Sequence, residues 1–212
     1  MKYLLVLLAL LVAVPAALIL TDDRKEVKVG YESAREEMIR KLRKHEQHIR
    51  ELDGDYEFQK YRVNYIRRSK QLCDYIRTQD VKFYEGNEDH AVAYVKGFAS
   101  WLPRSGIYIN PAFLSQLQSG DVMTQQVILN ELSHMAFWAE DAPVGNWEDL
   151  PRAKLADYSD WYDALIMFGD RQEYLDKIIL GKSLDFTNRI RMIKSSWQEL
   201  INPFFRAPKV AL

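Results

Sequence analysis

The stretch DVMTQQVILNELSHMAFW, residues 121–138, decides how this chain is read. Val127, Ile128, Leu132 and Met135 recur at helical spacing and supply one buried side, and Asp121 stands where an N-cap belongs. The spacing predicts a helix from Val122 to about Trp138. Upstream of it the composition changes: between Val81 and Phe113, Val92, Tyr94, Phe98, Ile107, Tyr108 and Ile109 are β-branched or aromatic, and Gly86, Gly97, Pro103 and Gly106 punctuate them. That pattern predicts a short antiparallel strand pair.

Further upstream, Met38, Leu42, Ile49 and Leu52 fall three and four apart, with His45 between them, and predict a helix over Glu32–Leu52. Gly54 breaks it. Phe58, Tyr61, Tyr65, Leu72 and Ile76 repeat the pattern over Asp55–Thr78, so the two helices are expected to pair as a hairpin. Their stripes span too few heptads for a coiled-coil dimer. Downstream, a loop with Pro143 and Gly145 leads to helical stretches at about Glu148–Phe168, Arg171–Leu180 and Leu184–Leu200, before Pro203. The fold class is therefore mainly α, within α+β, with one helix-rich domain over residues 32–205.

Of 212 residues, 48% are hydrophobic and 28% charged, a composition that builds a packed core. Lysine plus arginine number 29 against 30 aspartates and glutamates, so no global positive field draws nucleic acid, and none is expected as a partner. Cys73 is the sole cysteine, which excludes an internal disulfide and a cysteine-rich zinc site.

From Tyr3 to Leu20 every residue is apolar apart from the Tyr3 hydroxyl, between Lys2 and the polar run Thr21-Asp22-Asp23-Arg24-Lys25. As a helix this run reaches about 27 Å, enough for a thin hydrocarbon layer. Val14-Pro15-Ala16 or Pro15-Ala16-Ala17 offers a small-residue cleavage site, so residues 1–21 read as a signal anchor or a signal peptide. Residues 22–31 read as a tether. The domain is expected outside the cytoplasm, periplasmic or extracellular, either anchored in the membrane by its N-terminal helix or secreted after cleavage.

Chemistry concentrates in Asn130-Glu131-Leu132-Ser133-His134. In a helical zinc-protease site, two histidines four apart hold the metal and a glutamate beside the first acts as general base on its bound water. Here Glu131 and His134 are in place, but Asn130 occupies the position of the first histidine. Its neutral amide oxygen is a poor substitute for an imidazole nitrogen on zinc.

With Asp141 and Gly145 following, the segment resembles the deuterolysin-like and lysine-specific metallo-endopeptidases, in which an aspartate completes the metal site. Ala93-Tyr94-Val95 leading to Ile107-Tyr108-Ile109-Asn110-Pro111-Ala112-Phe113 is similar to that family's strand pair, and Asp160-Trp161-Tyr162 to its later helix segment. The resemblance covers roughly residues 90–170. It implies a zincin-like active-site helix with Glu131 as catalytic base and His134 and Asp141 as zinc ligands. It also implies two degenerate positions, Asn130 for a histidine and Val144 for a transition-state tyrosine. Three protein ligands and an open position are the usual catalytic requirement, and a lost transition-state donor costs about 3–4 kcal/mol. His90, in the preceding loop, is a candidate to return to the site and replace the missing imidazole.

Plainer readings stand beside these. His45 and His48 lie on a charged helix and are expected to be solvated, and Arg67, Arg68 and Lys70 to form a solvated face. Trp101, Trp138, Trp147, Trp161 and Trp197 suit the core or a peptide groove. Three functions follow: a catalytically impaired metallopeptidase-like domain that binds a protein or peptide partner, an active zinc endopeptidase with an altered ligand set, or a structural membrane protein with no metal site.

Overall fold

Helix α1 (Tyr31–Glu51) and helix α2 (Tyr56–Thr78) lie back to back as the hairpin the stripes predict. The computed structural model describes residues 24–87, 91–95, 106–142 and 150–181. Met38, Leu42 and Ile49 of α1 and Phe58, Tyr61, Tyr65, Leu72 and Ile76 of α2 are fully buried. Each such side chain contributes about 1.5–3 kcal/mol on leaving water. Asp55 caps α2 by accepting from the Phe58 N–H at 2.9 Å.

Helix α3 (Val122–Phe137) packs against both hairpin helices and against α4 (Ser159–Phe168), which is followed by α5 (Gln172–Ile179). Asp121 caps α3 by accepting from the Thr124 N–H at 3.0 Å. The starts of α1 and α3 meet closely, with the Gly30 backbone and the Ser33 side chain against Gly120, whose φ of 72° lies in the left-handed region that favours glycine.

Strands β1 (Phe83–Glu85), β2 (Ala93–Val95) and β3 (Ile107–Ile109) form one sheet in the order β1-β3-β2. The expected antiparallel pair is β2 with β3. A third strand, β1, runs parallel to β3; at three residues it is too short to show the alternation that marks a strand. Phe83, Ala93, Ile107 and Ile109 face the main core, and Tyr84, Tyr94 and Tyr108 stack on the other face. The segment read as a tether continues this sheet, since the Val27 N–H donates to Phe83 O at 2.9 Å and the Glu85 N–H to Lys25 O at 2.8 Å.

Two expectations are corrected. His45 is fully buried rather than solvated. Its Nδ1 lies 2.8 Å from Gln172 Oε1 and its Nε2 2.8 Å from the Tyr61 hydroxyl, which accepts from Trp161 Nε1–H at 3.1 Å. Both ring nitrogens are satisfied, so a neutral imidazole can leave water, and burial holds its pKa down at about 4. His48 is half-buried, with Nε2 2.8 Å from Asp176 Oδ1.

The helix expected over Glu148–Phe168 is interrupted. Arg152–Asp157 is a 3-10 turn after Pro151, Tyr158 is extended (φ −100°, ψ 137°), and α4 starts at Ser159. The reason is a competing partner. The Glu140 N–H donates to Asp157 O at 3.0 Å and the Ser159 N–H to Glu140 O at 2.9 Å, so backbone that a continuous helix would use is drawn into a parallel bridge. The expected helix over 184–200 and the membrane segment lie outside the described residues. Among the described residues no helix is long and apolar enough to cross a membrane.

Candidate functional site

Glu131 and His134 sit three apart on the last turns of α3 and so share a face. Trp138, with φ 63° and ψ 44°, then turns the chain back in a left-handed cap held by Trp138 N–H to His134 O (3.1 Å) and Ala139 N–H to Ser133 O (3.3 Å). That reversal returns the following residues to the imidazole. His134 Nδ1 lies 2.6 Å from Ala139 O, and Nε2 lies 3.3 Å from Asp141 Oδ1. The bridge between Glu140 and Tyr158 locks this turn onto the start of α4. There Ser159 Oγ–H donates to Asp141 Oδ1 at 2.8 Å, and Asp160 Oδ2 accepts from the Ala142 N–H at 2.7 Å.

The structure thus brings three of the sequence-derived residues together: Glu131, His134 and Asp141 are electrostatic neighbours. Burial pushes the Glu131 carboxyl up to about 7; His134 opposes this rise and Asp141 adds to it. Burial works against a charged His134, but the hydrogen bond to Asp141, the Glu131 carboxyl and the Ala139 carbonyl outweigh it and raise the imidazole to about 9. At neutral pH both ring nitrogens therefore carry protons, one donated to Ala139 O and one to Asp141. Such a cluster can exchange a proton near neutrality, and a metal would have to displace one from His134 before binding it.

Asn130 is not part of this cluster. Its amide Nδ2–H donates to Asp163 Oδ2 of α4 at 3.2 Å. Val144, Gly145 and His90 lie outside the described residues. Among the described residues no group of three or more His, Cys, Asp and Glu is disposed to hold a metal ion. His134 and Asp141 offer two donors where a catalytic zinc takes three, so the described donor set does not fit that ion.

Sequence reasoning did not find the supporting residues Ser159 and Asp163, and named Asp160 only as part of a family-like helix segment. That segment was their one signal, and its Trp161 and Tyr162 are fully buried and fix α4 to the main core. Arg68, read as part of a solvated face, instead pairs with Asp157 at 2.7 Å and lies over the Phe137 ring. No protein-family model, curated protein or solved structure matches the chain.

Proposed function

We propose that this is a membrane-anchored or exported protein whose metallopeptidase-like domain is catalytically impaired and works outside the cytoplasm by binding a protein or peptide partner. Asn130 carries this reading. Where a zinc helix needs an imidazole, an amide is committed to Asp163, while His134 and Asp141 satisfy one another. His134 and Asp141 are held by one another, by the Ala139 carbonyl and by Ser159, so the turn after α3 is a fixed feature, and fixed features suit recognition.

An active zinc endopeptidase with an altered ligand set keeps one observation in its favour. A carboxyl raised to about 7 beside His134 is in the range of a general base. Zinc content of the full chain in detergent, measured after equilibration with zinc and dialysis, separates the two readings. The proposal expects well below one zinc per chain and no hydrolysis of an unfolded protein substrate. One zinc per chain that disappears in His134→Ala, with hydrolysis that disappears in Glu131→Gln, would establish the enzyme instead.

A further inference from the structure

Helix α2 buries one stripe and leaves another bare. Phe58, Tyr61, Tyr65, Leu72 and Ile76 enter the core, while Tyr56, Lys60, Val63, Arg67 and Lys70, alternately four and three residues apart, are all exposed on one outer face. Tyr56 and Val63 keep 73% and 70% of their surface in solvent. A lone exposed apolar residue needs no explanation. These two share a face with three cations, and there Gln59, Lys60, Val63, Asn64 and Arg67 line a shallow groove of about 440 Å³.

The charge of this helix is out of proportion to the chain. The whole protein has a net charge of −1, yet between Tyr56 and Thr78 only Glu57 and Asp74 stand against Lys60, Arg62, Arg67, Arg68, Lys70 and Arg77. Helix α1 differs, because its Arg40 pairs with Glu37 and its Arg43 and Arg50 with Glu46. On α2, Lys60 reaches Glu57 at 3.4 Å and Arg67 reaches Asp157 at 4.0 Å, long exposed pairs that are weak and exchange readily with another anion. Among the described residues Lys70 has no ion pair. The groove is held in shape by Asn64, which donates to Ala153 O at 3.3 Å and to Asp157 Oδ2 at 2.9 Å. Asp157 O in turn accepts from the Glu140 N–H, so the groove adjoins the turn after α3.

We infer that this face of α2 docks an acidic segment of a partner protein, whose carboxylates pair with Lys60, Arg67 and Lys70 while an apolar side chain settles on Tyr56 and Val63. The inference rests on the partner-binding reading above and names the chemistry of that partner. Carboxylates form charge-assisted hydrogen bonds with ammonium and guanidinium groups, and the excess of cations here turns other cations away. A second copy of the chain is disfavoured, because a twofold pairing of this face sets like charges opposite one another. A groove with an apolar floor also suits a peptide side chain better than a plane of lipid headgroups.

The test uses the full chain in detergent at about 150 mM salt, where weak surface attraction is screened. The probes are a fluorescein-labelled peptide of glutamate, leucine and alanine and its counterpart with lysine for glutamate, followed by anisotropy. The acidic peptide is expected to bind and the basic one not to bind. Lys60→Glu and Lys70→Glu should each weaken binding about tenfold and Val63→Ser about fivefold, with thermal midpoints unchanged because all three positions are exposed. Lys28→Glu makes the same change in net charge away from this helix and should weaken binding by less than about twofold. Equal losses in Lys28→Glu and Lys60→Glu, undiminished binding by Val63→Ser, or equal binding of the two peptides or of neither, overturns the inference. Without peptide, protection of Lys60 and Lys70 from acylation in nanodiscs containing phosphatidylglycerol would assign the face to lipid instead, and a dimer that Val63→Ser dissociates would assign it to a second copy. Zinc found at one per chain would defeat the impaired-enzyme reading and leave these outcomes as they stand.

Discussion

Replace His45 by glutamine and follow stability from pH 6.5 down to pH 5. Fully buried His45 has a pKa of about 4 in the fold against an ordinary 6.5, so between those values the unfolded chain binds the extra proton. Its contribution is complete above pH 6.5 and is lost as the pH falls toward 4, about 3 kcal/mol in all. Glu131 acts in the opposite sense. Its pKa of about 7 against an ordinary 4.5 means that the folded chain takes up the proton first. Stability from this group therefore grows as the pH falls from 7 to 4.5, again by about 3 kcal/mol.

Over pH 5–6.5 the two slopes, each about 1.4 kcal/mol per pH unit, oppose one another, and the parent protein should be nearly flat. His45→Gln, which keeps an amide to bond Tyr61 and Gln172, removes one slope; that variant should gain about 2 kcal/mol between pH 6.5 and pH 5. Glu131→Gln removes the other and should lose about 2 kcal/mol over the same interval. Urea unfolding monitored by circular dichroism, on the chain without residues 1–21 and at constant m, reads these values directly. Parallel pH profiles for all three proteins would refute the assignment of either buried group.

Two further outcomes follow from the geometry. Tyr61→Phe removes the hydroxyl shared by His45 Nε2 and Trp161 Nε1 and should cost about 3 kcal/mol in the same unfolding assay, because two buried groups lose a partner. Gly120→Ala sets a methyl at φ 72° within 2.8 Å of Gly30 O and should cost about 2 kcal/mol, visible as a lower thermal midpoint.

The elements that declare themselves in sequence are those with both a stripe and a cap. Asp121 with Ile128 and Leu132, and Asp55 with Phe58 and Tyr61, locate their helices to within a residue or two. What sequence periodicity does not carry is long-range pairing. β1 is a strand because β3 lies beside it, the helix before Ser159 breaks because Glu140 takes its backbone groups, and His45 can be buried because Tyr61 and Gln172 come from elsewhere to satisfy it. The candidate site divides in the same way. Glu131 and His134 are legible as a helical pair, but that Asp141 reaches His134 depends on Trp138 adopting a conformation its residue type disfavours. Asp163, which holds Asn130, carries no local signal at all.

On the proposed reading, the histidine missing at position 130 is what keeps this site from holding zinc. Zinc affinity, measured by competition with a chromophoric chelator, tests it in the parent chain and in Asn130→His combined with Val144→Tyr. Weak, sub-stoichiometric binding is expected of the parent, with a gain of tenfold or more in the variant that His134→Ala abolishes. Tight binding of one zinc by the parent, or no gain in the variant, would contradict it.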